Sequence, residues 1–150
     1  EHDVGKIYVS QFDNLLGQWL GYPSTTCVHQ PTCGQSLVTE ANGDVYACDH
    51  FVYPEYKVGN LTQQPLTEIV LSSKQQQFGL EKSQKLTALC RRCEFRKLCY
   101  GGCPKHRFIS LENEPNPHNY LCVSYRYFFE QTAPYMQAMA RQIRLHPSAA

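Results

Sequence analysis

The chain has 150 residues, which is enough for one domain of ordinary size, and 42% of them are hydrophobic. Its formal net charge is +1, so no large basic field argues for a nucleic-acid partner. No stretch has the pattern of a signal peptide or of a membrane span. The hydrophobic fraction lies slightly below the usual range, so we expect a modest core that would gain from crosslinking.

Residues 1–20 carry apolar side chains at the spacing of an amphipathic helix, which Gly21 and Pro23 would end. Its apolar face could pack on the same domain or on a preceding one. The chain begins within this helix and without Met, so we expect a piece of a longer protein. The apolar positions are Val4, Ile7, Tyr8, Phe12, Leu15, Leu16, Trp19 and Leu20.

The next element predicted is a β-hairpin. Two short β-prone runs flank Asn42-Gly43, a pair that favours a tight turn between antiparallel strands. The second run delivers Cys48 at its end, and Asp49 and His50 follow directly. The hairpin therefore brings a thiol and a carboxylate to one strand end.

Several helices are predicted after the hairpin. Ser73 with Gln76 has the spacing of a capping box, for a short helix that ends near Gly79. A further helix begins at about residue 120. Thr132 is placed to cap a final helix, with Pro134 in its first turn.

The segment 90–107, CRRCEFRKLCYGGCPKHR, holds four of the eight cysteines as C-x2-C-x5-C-x3-C. Two cysteines at i and i+3 can present both sulfurs to one metal centre. The basic residues that crowd this segment favour the thiolate, which is the form that binds metal. Gly101 and Gly102 let the backbone pass close to a bulky centre.

Three uses of the cysteines compete. Disulfides suit a secreted domain, but C-x2-C is a poor spacing for them and the cysteine density is low. Two zinc sites or two [4Fe–4S] clusters would each need two sets of four thiolates. Cys27, Cys33 and Cys48 form an upstream group of three, so one of the five downstream cysteines must complete it. The number of cysteines leaves open which metal they bind and which downstream cysteine completes the upstream group.

The cysteine pattern resembles the SPASM domain, the auxiliary-cluster module of radical S-adenosylmethionine (SAM) enzymes that modify peptides and proteins. The matching pattern is Cys33-x9-Gly43-x4-Cys48, then C-x2-C-x5-C-x3-C from Cys90, then Cys122, while Cys27 supplies the eighth thiol. The segments DVGKIYVSQFD, CDHFVYPEYKVGN, CYGGCPKHRF and NYLCVSYRYFF are similar to anaerobic sulfatase-maturating enzymes. The similarity extends over roughly residues 3–140.

This resemblance implies a small α+β domain stabilised by metal clusters, with a β-hairpin and several short helices. Residues 21–150 would form the SPASM domain with its C-terminal helices. Residues 1–20 would lead out of a missing radical SAM barrel. The whole enzyme would oxidise a Cys or Ser of a sulfatase to Cα-formylglycine, using SAM and a third [4Fe–4S] cluster in the barrel. This part alone would bind clusters without turnover.

The resemblance also implies site residues and partners. Asp49 would be the base that deprotonates the substrate, although it could instead only hydrogen-bond the backbone beside a ligand. The partners would be a sulfatase polypeptide, the barrel and an electron donor or acceptor protein in the cytoplasm, with no nucleic acid and no membrane. The first cluster would take Cys27, Cys33, Cys48 and Cys103, and the second Cys90, Cys93, Cys99 and Cys122.

Two alternatives remain at this point. The same domain could belong to a radical SAM enzyme that acts on another peptide, or the chain could be a zinc-stabilised interaction module. Zinc could also replace iron in the same thiolate sites of a fragment made in air. Iron and zinc therefore have to be distinguished on protein made without oxygen.

Overall fold

The computed structural model describes residues 6–146, and in this range helices accompany two small antiparallel sheets. The α+β fold expected from the sequence is confirmed. The helices are α1 (Ser10–Leu20), α2 (Leu66–Val70), α3 (Ser73–Gln84), α4 (Ala88–Arg92), α5 (Arg96–Cys99) and α6 (Cys122–Leu145). The strands are β1 (Val38–Thr39), β2 (Asp44–Tyr46), β3 (Lys57–Asn60), β4 (Arg107–Ile109) and β5 (His118–Asn119).

The predicted hairpin is present as β1 and β2, to which β3 adds a third antiparallel strand. Gly43 adopts a φ of 84° in the turn, a conformation that suits glycine. Asn60 Nδ2 donates to Asp44 Oδ1 at 2.7 Å and so ties β3 to the start of β2. This sheet fixes the direction in which the chain leaves Tyr46 towards Cys48.

Helix α1 is shorter than the helix predicted at 1–20. It begins at Ser10, because Ile7 and Tyr8 are 62% and 78% exposed and lack the packing that stabilises short helices. Val4 and the other residues 1–5 lie outside the described part. The end at Gly21 is as predicted, with a φ of 100°. Leu15 is buried against α6, so the inward face of α1 belongs to the core of this domain.

The two C-terminal helices predicted from the sequence are one continuous helix, α6. The Thr132 hydroxyl donates to Phe128 O at 2.7 Å inside the helix, so it does not cap a new one. Pro134 also lies within α6. Phe129 and Met136 are buried on the same face, and this packing outweighs the hydrogen bond that proline removes.

Helix α3 also differs from the prediction. Its N-cap is Ser72, whose hydroxyl accepts from the backbone N–H of Gln75, one residue earlier along the chain than the capping box expected at Ser73 and Gln76. The helix continues through Gly79 to Gln84. It continues because it packs against the loop that carries Cys33, which the local sequence alone does not indicate.

Two small clusters of buried apolar residues hold the described part together. One lies between α1, α5 and α6, and the other lies under the three-stranded sheet and α2. No described helix is long and apolar enough to cross a membrane. The first cluster comprises Leu15, Phe95, Leu98, Phe129 and Met136, and the second comprises Val45, Ala47, Val58 and Ile69.

Candidate metal centres

The eight cysteines are all free thiols, and they line two separate cavities. The first cavity, of about 160 Å³, contains all three upstream cysteines and one downstream cysteine. The second, of about 240 Å³, contains the other four. The first set is Cys27, Cys33, Cys48 and Cys103, and the second is Cys90, Cys93, Cys99 and Cys122.

The sulfurs stand too far apart for a single zinc ion. Four thiolates at 2.3 Å from a tetrahedral zinc lie about 3.8 Å from one another. Within residues 6–146, no three cysteine sulfurs all lie within 4.8 Å of one another. Each cavity is also several times larger than the ~30 Å³ that a water molecule occupies in the liquid. The donor sets therefore fit a multinuclear group better than one ion.

A polar face of α3 holds the loop that carries Cys27 and Cys33. Gln75 Nε2 donates to Gly34 O at 2.8 Å, and Lys82 Nζ donates to Cys27 O at 2.5 Å. The backbone N–H of Cys33 donates to Gly79 O at 3.1 Å. Two thiols of the first cavity are thus positioned by hydrogen bonds rather than by apolar packing.

Gly79 allows the closest approach between α3 and this loop. A Cβ at this position would lie 2.7 Å from the carbonyl oxygen of Cys33, whereas a Cβ on Gly17 of α1 would meet no atom within 4 Å. We expect Gly79→Ala to destabilise the metal-loaded chain by about 1–3 kcal/mol. Gly17→Ala, the matched control, should stabilise it by about 0.5–1 kcal/mol. Thermal unfolding followed by circular dichroism measures both, and a stabilised Gly79→Ala variant would contradict this contact.

The chain passes from the second cavity to the first within four residues. Cys99 ends α5 in the second cavity, and Cys103 lies in the first. The three residues between them, 100–102, all have positive φ, at 47°, 72° and 63°. The Arg107 guanidinium stabilises this left-handed turn by donating to the carbonyl oxygens of Tyr100 at 2.9 Å, Gly101 at 3.2 Å and Gly102 at 3.3 Å.

Helix ends supply the cysteines of the second cavity. Cys90 lies in α4, whose N-cap Thr87 accepts from the Cys90 N–H, and Cys93 follows the end of this helix. Cys122 is the first residue of α6. His118 is buried beside them, with Nδ1 3.7 Å from Cys90 Sγ.

Comparison with known proteins shows what the cysteine-bearing part of the chain resembles. The family model of SPASM, an iron–sulfur cluster-binding domain, matches residues 27–94. Residues 27–94 are therefore similar to SPASM domains. The matched segment contains the three upstream cysteines and the first two downstream ones.

Curated relatives extend the similarity beyond that segment. The serine-type anaerobic sulfatase-maturating enzyme of Bacteroides thetaiotaomicron is 44% identical over 95% of this chain and 34% of its own length. The cysteine-type enzyme of Clostridium perfringens is 33% identical over 93% of this chain and 37% of its own. The chain therefore spans about a third of these relatives and matches their C-terminal part.

A solved structure described as native anSMEcpe with bound AdoMet and Cp18Cys peptide has the same fold. It superposes with a TM-score of 0.78 at 32% identity, over 95% of this chain and 39% of that chain. The predicted resemblance to the SPASM domain of anaerobic sulfatase-maturating enzymes is confirmed.

Burial of the Cys48 and Cys99 thiols disfavours their ionisation. It raises the pKa of Cys48 to about 12 and that of Cys99 to about 11. In the metal-free chain both groups are thiols at neutral pH, so a metal must displace their protons on binding. The basic residues of 90–107, which were expected to favour the thiolate, do not outweigh this burial.

Asp49 is exposed at the rim of the first cavity. The Cys48 thiol donates to Asp49 Oδ1 at 3.2 Å, and this hydrogen bond is the main reason why the pKa of Asp49 is lowered. The carboxylate is therefore ionised at neutral pH. If Cys48 bound metal as a thiolate it would lose this proton, and Asp49 would be free to accept one from elsewhere.

His50 lines the first cavity without belonging to its cysteine set, and His106 lies beside His50. His50 Nδ1 lies 3.6 Å from Cys103 Sγ, and the His50 and His106 rings lie 6.4 Å apart. One ligand atom from each of Cys48, Asp49 and His50 falls within a 4.8 Å group. That group shares its thiol with the cysteine set of the first cavity.

Sequence reasoning missed Lys82, and it treated Arg107 as one of the basic residues of the segment 90–107. Lys82 is only 1% exposed on the polar face of α3, and Arg107 is half-buried between the cavities. A signal was present in the spacing of Gln75, Gly79 and Lys82, which share one helix face. Polar residues on one face of a helix ordinarily indicate that the face is exposed to solvent. In this protein, however, that face of α3 is buried.

Proposed function

We propose that the chain is the auxiliary-cluster domain of a radical SAM enzyme that oxidises a Cys or Ser of a sulfatase to Cα-formylglycine. The observation that carries this proposal is the division of eight free thiols between two cavities, in neither of which three sulfurs all lie within 4.8 Å of one another. Similarity over 95% of the chain to a serine-type anaerobic sulfatase-maturating enzyme supports the reaction.

Each cavity would hold one [4Fe–4S] cluster through its four cysteines. When bound, such a cluster supplies a one-electron acceptor. Four thiolate ligands leave no iron open to the substrate, which favours electron transfer over substrate binding. The cysteines are Cys27, Cys33, Cys48 and Cys103 for the first cluster, and Cys90, Cys93, Cys99 and Cys122 for the second.

Asp49 would take the proton that the oxidation releases. After a hydrogen atom leaves Cβ of the substrate residue, the carbon radical still has to lose one electron and one proton. A serine substrate then becomes the aldehyde, and a cysteine substrate becomes a thioaldehyde that water converts to the aldehyde with loss of hydrogen sulfide. An exposed, ionised carboxylate beside Cys48 suits this proton transfer.

The remaining parts of the reaction would lie outside residues 21–150. A preceding barrel would hold SAM and the third cluster and would generate the radical, with residues 1–20 leading out of it. The substrate would be a sulfatase polypeptide, and a further protein would exchange electrons with the domain. The bound AdoMet and Cp18Cys peptide of the solved relative support such partners.

The metal content of protein made without oxygen tests this proposal. We expect about eight iron and eight acid-labile sulfide per chain, as two four-iron clusters require, and almost no zinc. About two zinc and no sulfide would favour a zinc-stabilised interaction module and would remove the main support for Asp49.

Single cysteine variants test the two ligand sets separately. Cys33→Ala and Cys99→Ala should each lower the iron content to about four per chain, because each disrupts a different cluster. The double variant should hold almost no iron. Loss of all iron in either single variant would contradict two separately ligated clusters.

A further inference from the structure

Lys82 is a buried cation that contacts the backbone of two residues lining the first cavity, Cys27 and Val28. It is the only lysine or arginine that is fully buried within residues 6–146, at 1% exposure. Its ammonium donates to Cys27 O at 2.5 Å and Val28 O at 3.0 Å. No carboxylate of the described residues forms an ion pair with it.

A buried ammonium is costly unless negative charge faces it. Burial and the nearby Arg107 lower the pKa of Lys82, while Cys33, Cys27 and Cys103 act to raise it. These three thiols all line the first cavity. Because Lys82 also donates to the carbonyl oxygens of Cys27 and Val28, which line this cavity, thiolates that bound metal there would supply the negative charge that balances it.

The second cavity lacks an equivalent buried cation of its own. The arginines that line it, Arg92, Arg96 and Arg126, are exposed, and Glu94 offsets part of their charge. Solvent screens such charges strongly. Arg107 faces cysteines of both sets, so it does not distinguish them.

We propose that Lys82 selectively raises the reduction potential of the cluster held in the first cavity, which makes that cluster the better electron acceptor. This inference rests on the proposed function. Reduction adds one electron to the cluster and breaks no bond. A cation in a low-dielectric site stabilises the added negative charge more than a solvent-exposed one.

Exposed Asp49 carries the opposite charge at the rim of the same cavity. Its carboxylate faces solvent, so its effect on the cluster is screened, whereas that of Lys82 is not. The buried cation therefore dominates the electrostatic difference between the two cavities.

A redox titration of the anaerobically prepared 150-residue chain, with dithionite as reductant and electron paramagnetic resonance as readout, tests the inference. Cys33→Ala and Cys99→Ala identify the signal of each cluster. We expect Lys82→Met to lower the equilibrium constant for one-electron reduction of the first cluster at least tenfold. This corresponds to a reduction potential lower by about 59 mV. The potential of the second cluster should stay almost unchanged. Lys82→Arg should stay close to the wild type. Lys85→Met, an exposed lysine next to the same helix, is the matched control.

The other possible outcomes show whether the role of Lys82 or the proposed function itself is wrong. Absence of iron and sulfide in the wild type would end the proposed function itself. Two intact clusters with an unchanged first potential in Lys82→Met would overturn only the role of Lys82. Loss of the first cluster in both Lys82→Met and Lys82→Gln, with Lys82→Arg intact, would also overturn it, because Lys82 would then only hold the Cys27 loop.

Discussion

The Asp49→Asn variant of the full-length enzyme is expected to keep both auxiliary clusters and to form formylglycine roughly 10²–10⁴-fold more slowly. The amide is close to the carboxylate in size but cannot accept the proton that the substrate radical must lose. Because Asp49 is exposed, the substitution should leave the packing around Cys48 intact. Mass spectrometry of a substrate peptide measures the product, and iron and sulfide analysis measures the clusters.

Two variants sharpen this result. Glu55→Gln removes another exposed carboxylate from the same segment and should leave the yield unchanged. Asp49→Glu keeps the charge and should restore part of the activity. Near-normal product from Asp49→Asn with both clusters present would remove Asp49 from the mechanism.

Removal of the metal is expected to abolish cooperative unfolding of the 150-residue chain. Without clusters, cavities of about 160 and 240 Å³ would remain between two small groups of buried apolar residues. Lys82 would also lose the negative charge that faces it, which is costly for a buried cation. The metal-free chain should therefore be largely unfolded or prone to aggregate.

Circular dichroism and thermal melting of a chelator-treated sample check this expectation. Reconstitution with iron and sulfide should restore the transition, which shows that the chelator did no other damage. A chelated sample that unfolds cooperatively near the midpoint of the loaded chain would contradict the idea that the clusters serve as much of the core.

The local parts of the fold were predictable because local chemistry decides them. Glycine suits the positive φ of Gly43 in the Asn42-Gly43 turn, and Gly21 ends α1 in the left-handed conformation that glycine favours. The continuous α6 was not predictable in this way. Thr132 and Pro134 have the sequence of a helix start, but the helix passes through them because its buried face packs on α1.

The cysteine arrangement was predictable in part. Two sets of four thiolates require one downstream cysteine to complete the upstream group of three. Only the resemblance to the SPASM domain indicated that this cysteine is Cys103. The structure brings Cys103 to the cavity of Cys27, Cys33 and Cys48 through the left-handed turn at residues 100–102. Lys82 was missed because a polar helix face is ordinarily solvated, and its burial depends on the Cys27 loop folding over it.

The order of the two cysteine sets along the chain has a consequence for how such domains can evolve. Cys103 of the first cavity lies between Cys99 and Cys122 of the second. No single cut through the sequence separates the two sets, because Cys103 lies within the span of the second set. A descendant that lost its second site by truncation before Cys90 would lose the first as well. A form with only the first set intact can therefore arise by point substitution or by truncation between Cys103 and Cys122, but not by loss of the whole second set.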